Sequence, residues 1–390
     1  MMLAPKEFCT GCTACASICP SGVISMKEDQ EGFLHPSVDS DHCDDCGLCE
    51  GVCPVLAGKS PVNSDTKVYA AMNLQDRERL TSTSGGVFVL LCKWILDQNG
   101  VVFGAAFDEN WNVEHRGTER ETEIAAFKTA KYTQSKMGDA FAQVKRYLSE
   151  DRYVLFSGTP CQVAGLQSFL GKQYEKLFLV DLICHGVPSP FVWQRYLKYR
   201  RKKDADNAEI VQVNFRNKET GWTGYSVYIE YTNGATYAAI NRDDPYMRAF
   251  IGNLDLRQSC YHCSFKGIQR FSDFTLGDYW GVWNQEPDFH DDKGTSIVLV
   301  HSSKGEDLWR ELSDQMKHKA IDEGRSLNEN LSALRPSFLP AHRELFMKNY
   351  DREDFTELTE ELLPKPAPAK EASLFRSVVG KAKRVLKKLC

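Results

Sequence analysis

Twelve of the fourteen cysteines fall in patterns suited to chemistry. Eight stand in two runs, Cys9-x2-Cys12-x2-Cys15-x3-Cys19-Pro20 and Cys43-x2-Cys46-x2-Cys49-x3-Cys53-Pro54, the second beginning 34 residues after the first. Thiolates three residues apart leave one tight turn together and reach the same metal or cluster, which suits such triplets better than disulfides do. Four more are spread along the chain. Cys161 follows a predicted strand directly, in Ser157-Gly158-Thr159-Pro160-Cys161, and Cys184 follows another, in Cys184-His185-Gly186. Cys260 and Cys263 form a further C-x2-C pair. These four suffice for one [4Fe-4S] cluster, for a zinc ion, or for a partial site in which Cys161 or Cys184 stays an unligated redox thiol. Asp278 and His185 are substitute ligands. Cys92, inside an apolar helix, is expected to be a buried small hydrophobe, and Cys390 is incidental.

The spacing of the two runs resembles that of bacterial two-cluster ferredoxins, where three cysteines of a run hold one cube and the fourth crosses to the other. The resemblance implies one cluster on Cys9, Cys12, Cys15 and Cys53 and a second on Cys43, Cys46, Cys49 and Cys19. Such a chain handles electrons. Three further stretches bear polar groups suited to a ligand. In Thr81-Ser82-Thr83-Ser84-Gly85-Gly86, just before a predicted helix, hydroxyls and free N-H groups suit a phosphate and the paired glycines permit close approach; Ser84 is alternatively only a helix cap. Lys131 and Tyr132 lie in a polar loop, where a lysine steadies the anion of a reduced flavin or is simply exposed. Leu276-Gly277-Asp278-Tyr279-Trp280-Gly281 brackets an acid and two aromatics with glycines, for ring stacking or for core.

Positioning these groups requires an α/β scaffold of mixed α+β character. Val68 to Met72, Gly100 to Gly104, Tyr153 to Phe156 and Leu177 to Ile183 read as buried strands, with an apolar helix from Val87 to Leu96. Strand-loop-helix units predict a largely parallel sheet with ligands at the carboxyl ends of its strands. Gly224 to Tyr231 and Ala235 to Ile240 flank Asn233-Gly234, so an antiparallel hairpin insert is expected. Ser296 to Val300 resumes the sheet. The expected organisation is a two-cluster ferredoxin domain over 1–60, a larger α/β domain with the second group of cysteines over 66–305, to which the resemblance given below assigns flavin and iron-sulfur, a helical extension over 306–362, and a Pro/Ala linker with a basic amphipathic helix over 363–390.

Composition narrows the partners. The 390 residues are 42% hydrophobic and 26% charged, an ordinary globular balance. Residues 1–60 hold nine acids against three lysines, which argues against nucleic acid. No charged-then-apolar leader precedes Cys9 and no apolar run is long enough to span a bilayer, so a reducing, cytoplasmic setting is expected. Residues 373–390 carry six cations and no acid, suited either to peripheral contact with the inner face of an anionic membrane or to docking on protein.

Beyond the ferredoxin module the chain resembles the iron-sulfur flavoprotein family of the coenzyme F420 hydrogenase/dehydrogenase beta subunit. The resemblance covers about residues 5–345 and rests on Ser84-Gly85-Gly86, Lys131-Tyr132, Gly158-Thr159-Pro160-Cys161-Gln162, Cys184-His185-Gly186, Phe215-Arg216 with Lys218, Leu256-Arg257 before Cys260 and Cys263, and Gly277-Asp278-Tyr279-Trp280-Gly281. It implies FAD near Ser84, Gly85, Gly86, Lys131 and Tyr132, a third [4Fe-4S] cluster on Cys161, Cys184, Cys260 and Cys263, and hydride exchange with F420 in some members. The expected activity is an FAD and iron-sulfur oxidoreductase whose clusters trade single electrons with a redox partner such as a ferredoxin or a catalytic subunit, working at a membrane if it serves surface-polysaccharide assembly. The alternatives are a non-catalytic relay subunit and a membrane-tethered scaffold with structural clusters. The basic tail lies outside the resemblance.

Overall fold

The computed structural model describes residues 2–58, 61 and 65–363. The N-terminal module is built twice over. Each cysteine run has left-handed residues at its third and fifth positions, Gly11 and Thr13 in the first and Asp45 and Gly47 in the second. These tight turns lead into five-residue helices, Ala14–Ile18 and Leu48–Val52. Cys19 and Cys53 follow those helices in extended conformation. Pro20 and Pro54 explain that, because a residue before proline is pushed out of the helical region. Between the repeats, β1 (Ile24–Glu28) pairs antiparallel with β2 (Leu34–Val38).

The main body is an eight-stranded sheet made of β3 (Lys67–Asn73), β4 (Val101–Phe107), β5 (Val113–Thr118), β6 (Val154–Gly158), β7 (Leu177–Leu182), β11 (Phe274–Asp278), β12 (Ser296–Val300) and β13 (Met316–Ala320), in the order β13-β3-β12-β11-β7-β6-β4-β5. Its centre, β4-β6-β7-β11, is parallel, and antiparallel strands flank it on both sides. Alternation divides the strand residues between two cores. Val102, Leu155, Phe178 and Val180 pack with the helix Val87–Asp97 and with Leu308 and Trp309. Val101, Phe103, Val154, Phe156, Leu177 and Leu179 pack with the helices Ala140–Ser149 and Pro160–Leu170. Burial on both faces makes the central strands continuous apolar runs, which is why they are visible in sequence.

The insert is a separate three-stranded antiparallel sheet of β8 (Ile210–Asn217), β9 (Ser226–Tyr231) and β10 (Thr236–Ile240). Gly234, at φ 81°, closes the turn between β9 and β10. The pairing of β8 slips between Asn214 and Asn217, and bulges of this kind re-aim side chains. Arg216 lies in that slip. The sheet shares a core with the helices Pro190–Ala205, Pro245–Ile251, Arg343–Asn349 and Phe355–Leu362.

The segment 306–362 departs from expectation. It is not wholly helical, because β13 runs through it and extends the main sheet along β3. Met316 alone in that strand is buried, and Lys317 and Lys319 face solvent. A charged edge strand lacks an alternating apolar signal, and its lysines discourage pairing with other chains. The predicted linker and basic tail, 363–390, lie outside the described residues apart from Leu363. No helix among the described residues is long and apolar enough to cross a membrane.

Candidate functional site

Because β6 and β7 are parallel neighbours, the segments after them leave the same edge of the sheet. Cys161 stands in the first turn of the helix Pro160–Leu170, whose start is fixed by a capping box: Gln162 Oε1 accepts from the Thr159 N-H at 2.8 Å. Cys184 follows β7. Cys260 lies in a short 3-10 turn, Gln258–His262, and Cys263 ends it. The four thiols lie within electrostatic range of one another: Cys161 of Cys263, Cys184 and Cys260, and Cys260 of Cys184 and Cys263. Burial pushes the Cys161 thiol well up, raises Cys184, and moves Cys260 up to about 12. Thr159 Oγ1 lies 3.2 Å from Cys161 Sγ, and the Val187 N-H donates to Cys260 Sγ at 3.4 Å. A backbone donor aimed at sulfur suits a thiolate better than a neutral thiol. Among the described residues no three His, Cys, Asp or Glu side chains converge on a single ion. Asp278 and His185 are engaged elsewhere than in this thiol group. Asp278 pairs with Arg216 at 2.9 Å and accepts from Trp222 Nε1 at 2.9 Å, and His185 Nε2 bonds Asn253 Oδ1 at 2.6 Å.

In the N-terminal module Cys12 feels Cys9 and Cys53, and Cys15 feels Cys12, Cys9 and Cys53. These four line a small cavity with Met26, Pro36 and Val55. Burial raises Cys12 to about 11 and Cys15 to about 12. In the other group, Cys49 is buried beside Cys46, which is exposed, and Cys43 and, from the first run, Cys19 are half-buried. Cys92 has no exposure at all and sits in the core of the helix Val87–Asp97.

Beside the Cys161 group opens a cavity of about 770 Å³, and Cys184 lines it. Residues 82–84 and 86–88 form one wall, Lys131 and Tyr132 another, and Thr223, Tyr225 and Asn241 from the insert also line it, whereas Gly85 does not. Ser84 is not the helix cap. Gly86 takes that position at φ 78°, and Ser84 Oγ donates to Thr295 O at 2.8 Å. The glycine at 85 is required by protein contacts: a Cβ there would lie 2.5 Å from Ala71 O and 2.7 Å from Ser296 N. Lys218 clamps the same loop, donating to Arg79 O at 2.7 Å, Ser84 O at 2.8 Å and Lys293 O at 2.8 Å. Lys131 is not a freely exposed loop lysine. Its Nζ donates to Ala126 O and to Thr129 O, and burial together with the neighbouring Arg116 brings it down to about 7. Tyr132 stacks on Phe250 at 4.7 Å, and its carbonyl accepts from the Tyr246 hydroxyl.

One cavity residue carried no sequence signal of its own. His115 Nε2 donates to Ser157 O at 2.9 Å, and burial takes its pKa down to about 4, so the ring is neutral and Nδ1 is left a bare acceptor. Ser82 Oγ, Thr133 Oγ1 and Arg216 Nε are likewise buried without partners. All four residues line the cavity. Arg216 lies 3.7 Å over the Tyr225 ring, and Trp280 stacks on Trp222 at 5.1 Å. Unsatisfied buried polar atoms are rare in folded proteins, and four around one cavity fit a polar, aromatic-sized ligand.

Residues 8–57 match the 4Fe-4S dicluster domain, and residues 151–324 match the C terminus of the coenzyme F420 hydrogenase/dehydrogenase beta subunit. The chain therefore joins a ferredoxin-type module to a domain of that beta-subunit type, which makes it an iron-sulfur electron-transfer protein. It is similar to one of the subunits of the F(420)H(2) dehydrogenase of Methanosarcina mazei, 22% identical over 80% of this chain and 84% of that one. It is also similar to a coenzyme F420-dependent sulfite reductase of Methanocaldococcus jannaschii, 25% identical over 48% of this chain and 29% of the relative. A chain from the F420-reducing [NiFe] hydrogenase complex of Methanosarcina barkeri aligns over 77% of this chain and 91% of its own, with 14% identity and a TM-score of 0.45.

Proposed function

We propose that Cys161, Cys184, Cys260 and Cys263 hold a third [4Fe-4S] cluster and that the adjoining cavity holds FAD, for hydride exchange with F420 or another two-electron partner. The observation that carries this reading is Cys184, which belongs to the thiol group and lines the cavity wall. A flavin accepts two electrons as hydride and releases them one at a time, whereas each cube carries one. The chain's own residues supply placement. Ser82, Thr133 and Arg216 offer hydroxyls and a guanidinium N-H to a bound ligand, and His115 Nδ1 accepts from one. Lys131 contributes a cation whose charge depends on pH near neutrality. Tyr225, Asn241 and Thr223, carried by the insert, line the cavity opposite the main sheet's loops.

Relatives named as subunits favour a partner chain as the source or sink of single electrons. Protein purified anaerobically and reconstituted with iron and sulfide is expected to hold about twelve irons per chain and to show a flavin spectrum. Cys260→Ser should lower the iron by about four while leaving the signals of the N-terminal clusters. Tightly bound zinc with no flavin would overturn the proposal, and eight irons with flavin would remove the third cluster from it.

A further inference from the structure

Arg257 is 1% exposed and lies between the two groups of cysteines. Its Nε donates to the carbonyl of Cys9 at 2.7 Å, Nη1 to Gln134 Oε1 at 2.9 Å, and Nη2 to Leu34 O at 2.9 Å. The Arg257 carbonyl in turn accepts from the Cys260 N-H at 2.9 Å. One residue thus bonds to the backbone of a cysteine in each group. Gln134 closes the same clamp by donating to Thr10 O at 3.1 Å, and a Cβ at Gly11 would meet both Arg257 and Gln134 at 3.0 Å. Among the described residues no Asp or Glu forms an ion pair with Arg257; the aromatic face of Phe33, 5.4 Å away, and the His35 ring are its other neighbours. A guanidinium taken out of water without a counter-charge is costly. Thiolate-bound clusters on either side are anionic and would supply that charge.

A second approach joins the same two groups. A Cβ built on Gly165 would stand 2.9 Å from Cys12 Sγ. Gly165 is one helical turn after Cys161, about 6 Å along the axis and on the same face. Both approaches reach the cysteines of the first group, whereas Cys46 of the second is exposed.

We propose that Arg257 is the positioning residue of an electron-transfer junction, joining the site on Cys9, Cys12, Cys15 and Cys53 to the site on Cys161, Cys184, Cys260 and Cys263. The site on Cys43, Cys46, Cys49 and Cys19 is then the outer one. This rests on the cluster reading above. Across the junction one electron leaves one cluster and reduces the other by one; no atom moves, and Arg257 keeps its proton. A low-potential one-electron carrier supplies the outer site. A fixed buried cation favours the more anionic, reduced form of each neighbour, so it raises both potentials.

The test uses the full chain, reconstituted anaerobically and titrated with dithionite under EPR detection, with Cys46→Ser assigning the outer signal. Arg257→Gln, with iron content retained, is expected to lower the midpoint potentials of the inner and third clusters and leave the outer one in place. Electron equilibration between inner and third clusters should slow at least tenfold. Arg257→Lys should restore the potentials more fully than the rate, because it keeps the charge and loses the forked geometry. Unshifted inner and third potentials in an iron-replete Arg257→Gln protein would overturn the proposal. Should that variant lose iron, Arg257→Lys decides: slowed equilibration supports the junction, and wild-type equilibration refutes it. A wild-type protein with only eight irons would instead defeat the cluster reading itself.

Discussion

Lys131 shows how much a single side chain owes to its surroundings. The sequence marks it as a loop cation; burial, with the neighbouring charge of Arg116, brings its pKa from 10.5 to about 7. Between these values the unfolded chain binds a proton that the folded chain does not, so this group makes stability rise with pH across that window. Binding of an anionic ligand has the opposite sense, since it needs Lys131 charged. Flavin affinity is therefore expected to be highest below about pH 7 and to fall above it, by up to about tenfold per pH unit. Lys131→Met should bind more weakly and flatten that profile. Fluorescence titration of free FAD at a series of pH values measures both, and an unchanged slope in the variant would remove Lys131 from the site. His115 was invisible by contrast. A lone histidine on a half-polar strand acquires meaning only when the fold leaves its polar atom buried and unpaired.

At the level of elements, the helix Pro160–Leu170 carries two duties. Its first turn presents Cys161, and its next turn offers Gly165 to Cys12. In an isolated helix Gly→Ala gains about 1 kcal/mol. Here the sign should reverse, because the added methyl meets a cysteine sulfur at 2.9 Å. Gly165→Ala is expected to lower the thermal stability of the reconstituted protein and to cost up to about four irons, read by calorimetry and iron assay. Higher stability with full iron would show that the module can shift away. Elements buried on both faces, β4, β6, β7 and β12, were legible as apolar runs. The half-polar β5, β11 and β13 were not, because their partners rather than their own residues make them strands.

On the scale of the whole molecule, the ferredoxin module is held against the main body by a few strong contacts. Arg343 donates to both Glu31 oxygens, at 2.9 and 2.6 Å, and also to Leu256 O. The Arg343 side chain is 5% exposed and that of Glu31 24%. Ser189 Oγ adds a bond to Glu31 O, and Gly32 lies where any Cβ would strike Phe191 at 2.7 Å. Glu31→Ala leaves a buried guanidinium unpaired and should destabilise the protein by about 3 kcal/mol. Replacing both partners, as in Glu31→Ala with Arg343→Met, should recover much of the loss. Denaturant unfolding under anaerobic conditions measures the two, and equal losses in the single and double variants would show that the pair contributes nothing as a pair.

The sequence by itself determined the chemistry of the cysteine runs, the parallel centre of the sheet and the hairpin at Asn233-Gly234. Each is written in local terms: thiol spacing, apolar runs and turn residues. It also named Lys131 and the paired glycines without the reasons for them. Tertiary structure alone decided that Cys184 serves both the thiol group and the cavity, that Gly85 is required by Ala71 and Ser296, and that Arg257 bridges two groups of cysteines. Those relations join residues up to 248 positions apart, as between Cys9 and Arg257. No local pattern encodes such a contact, because it exists only once the sheet, the insert and the N-terminal module have packed together.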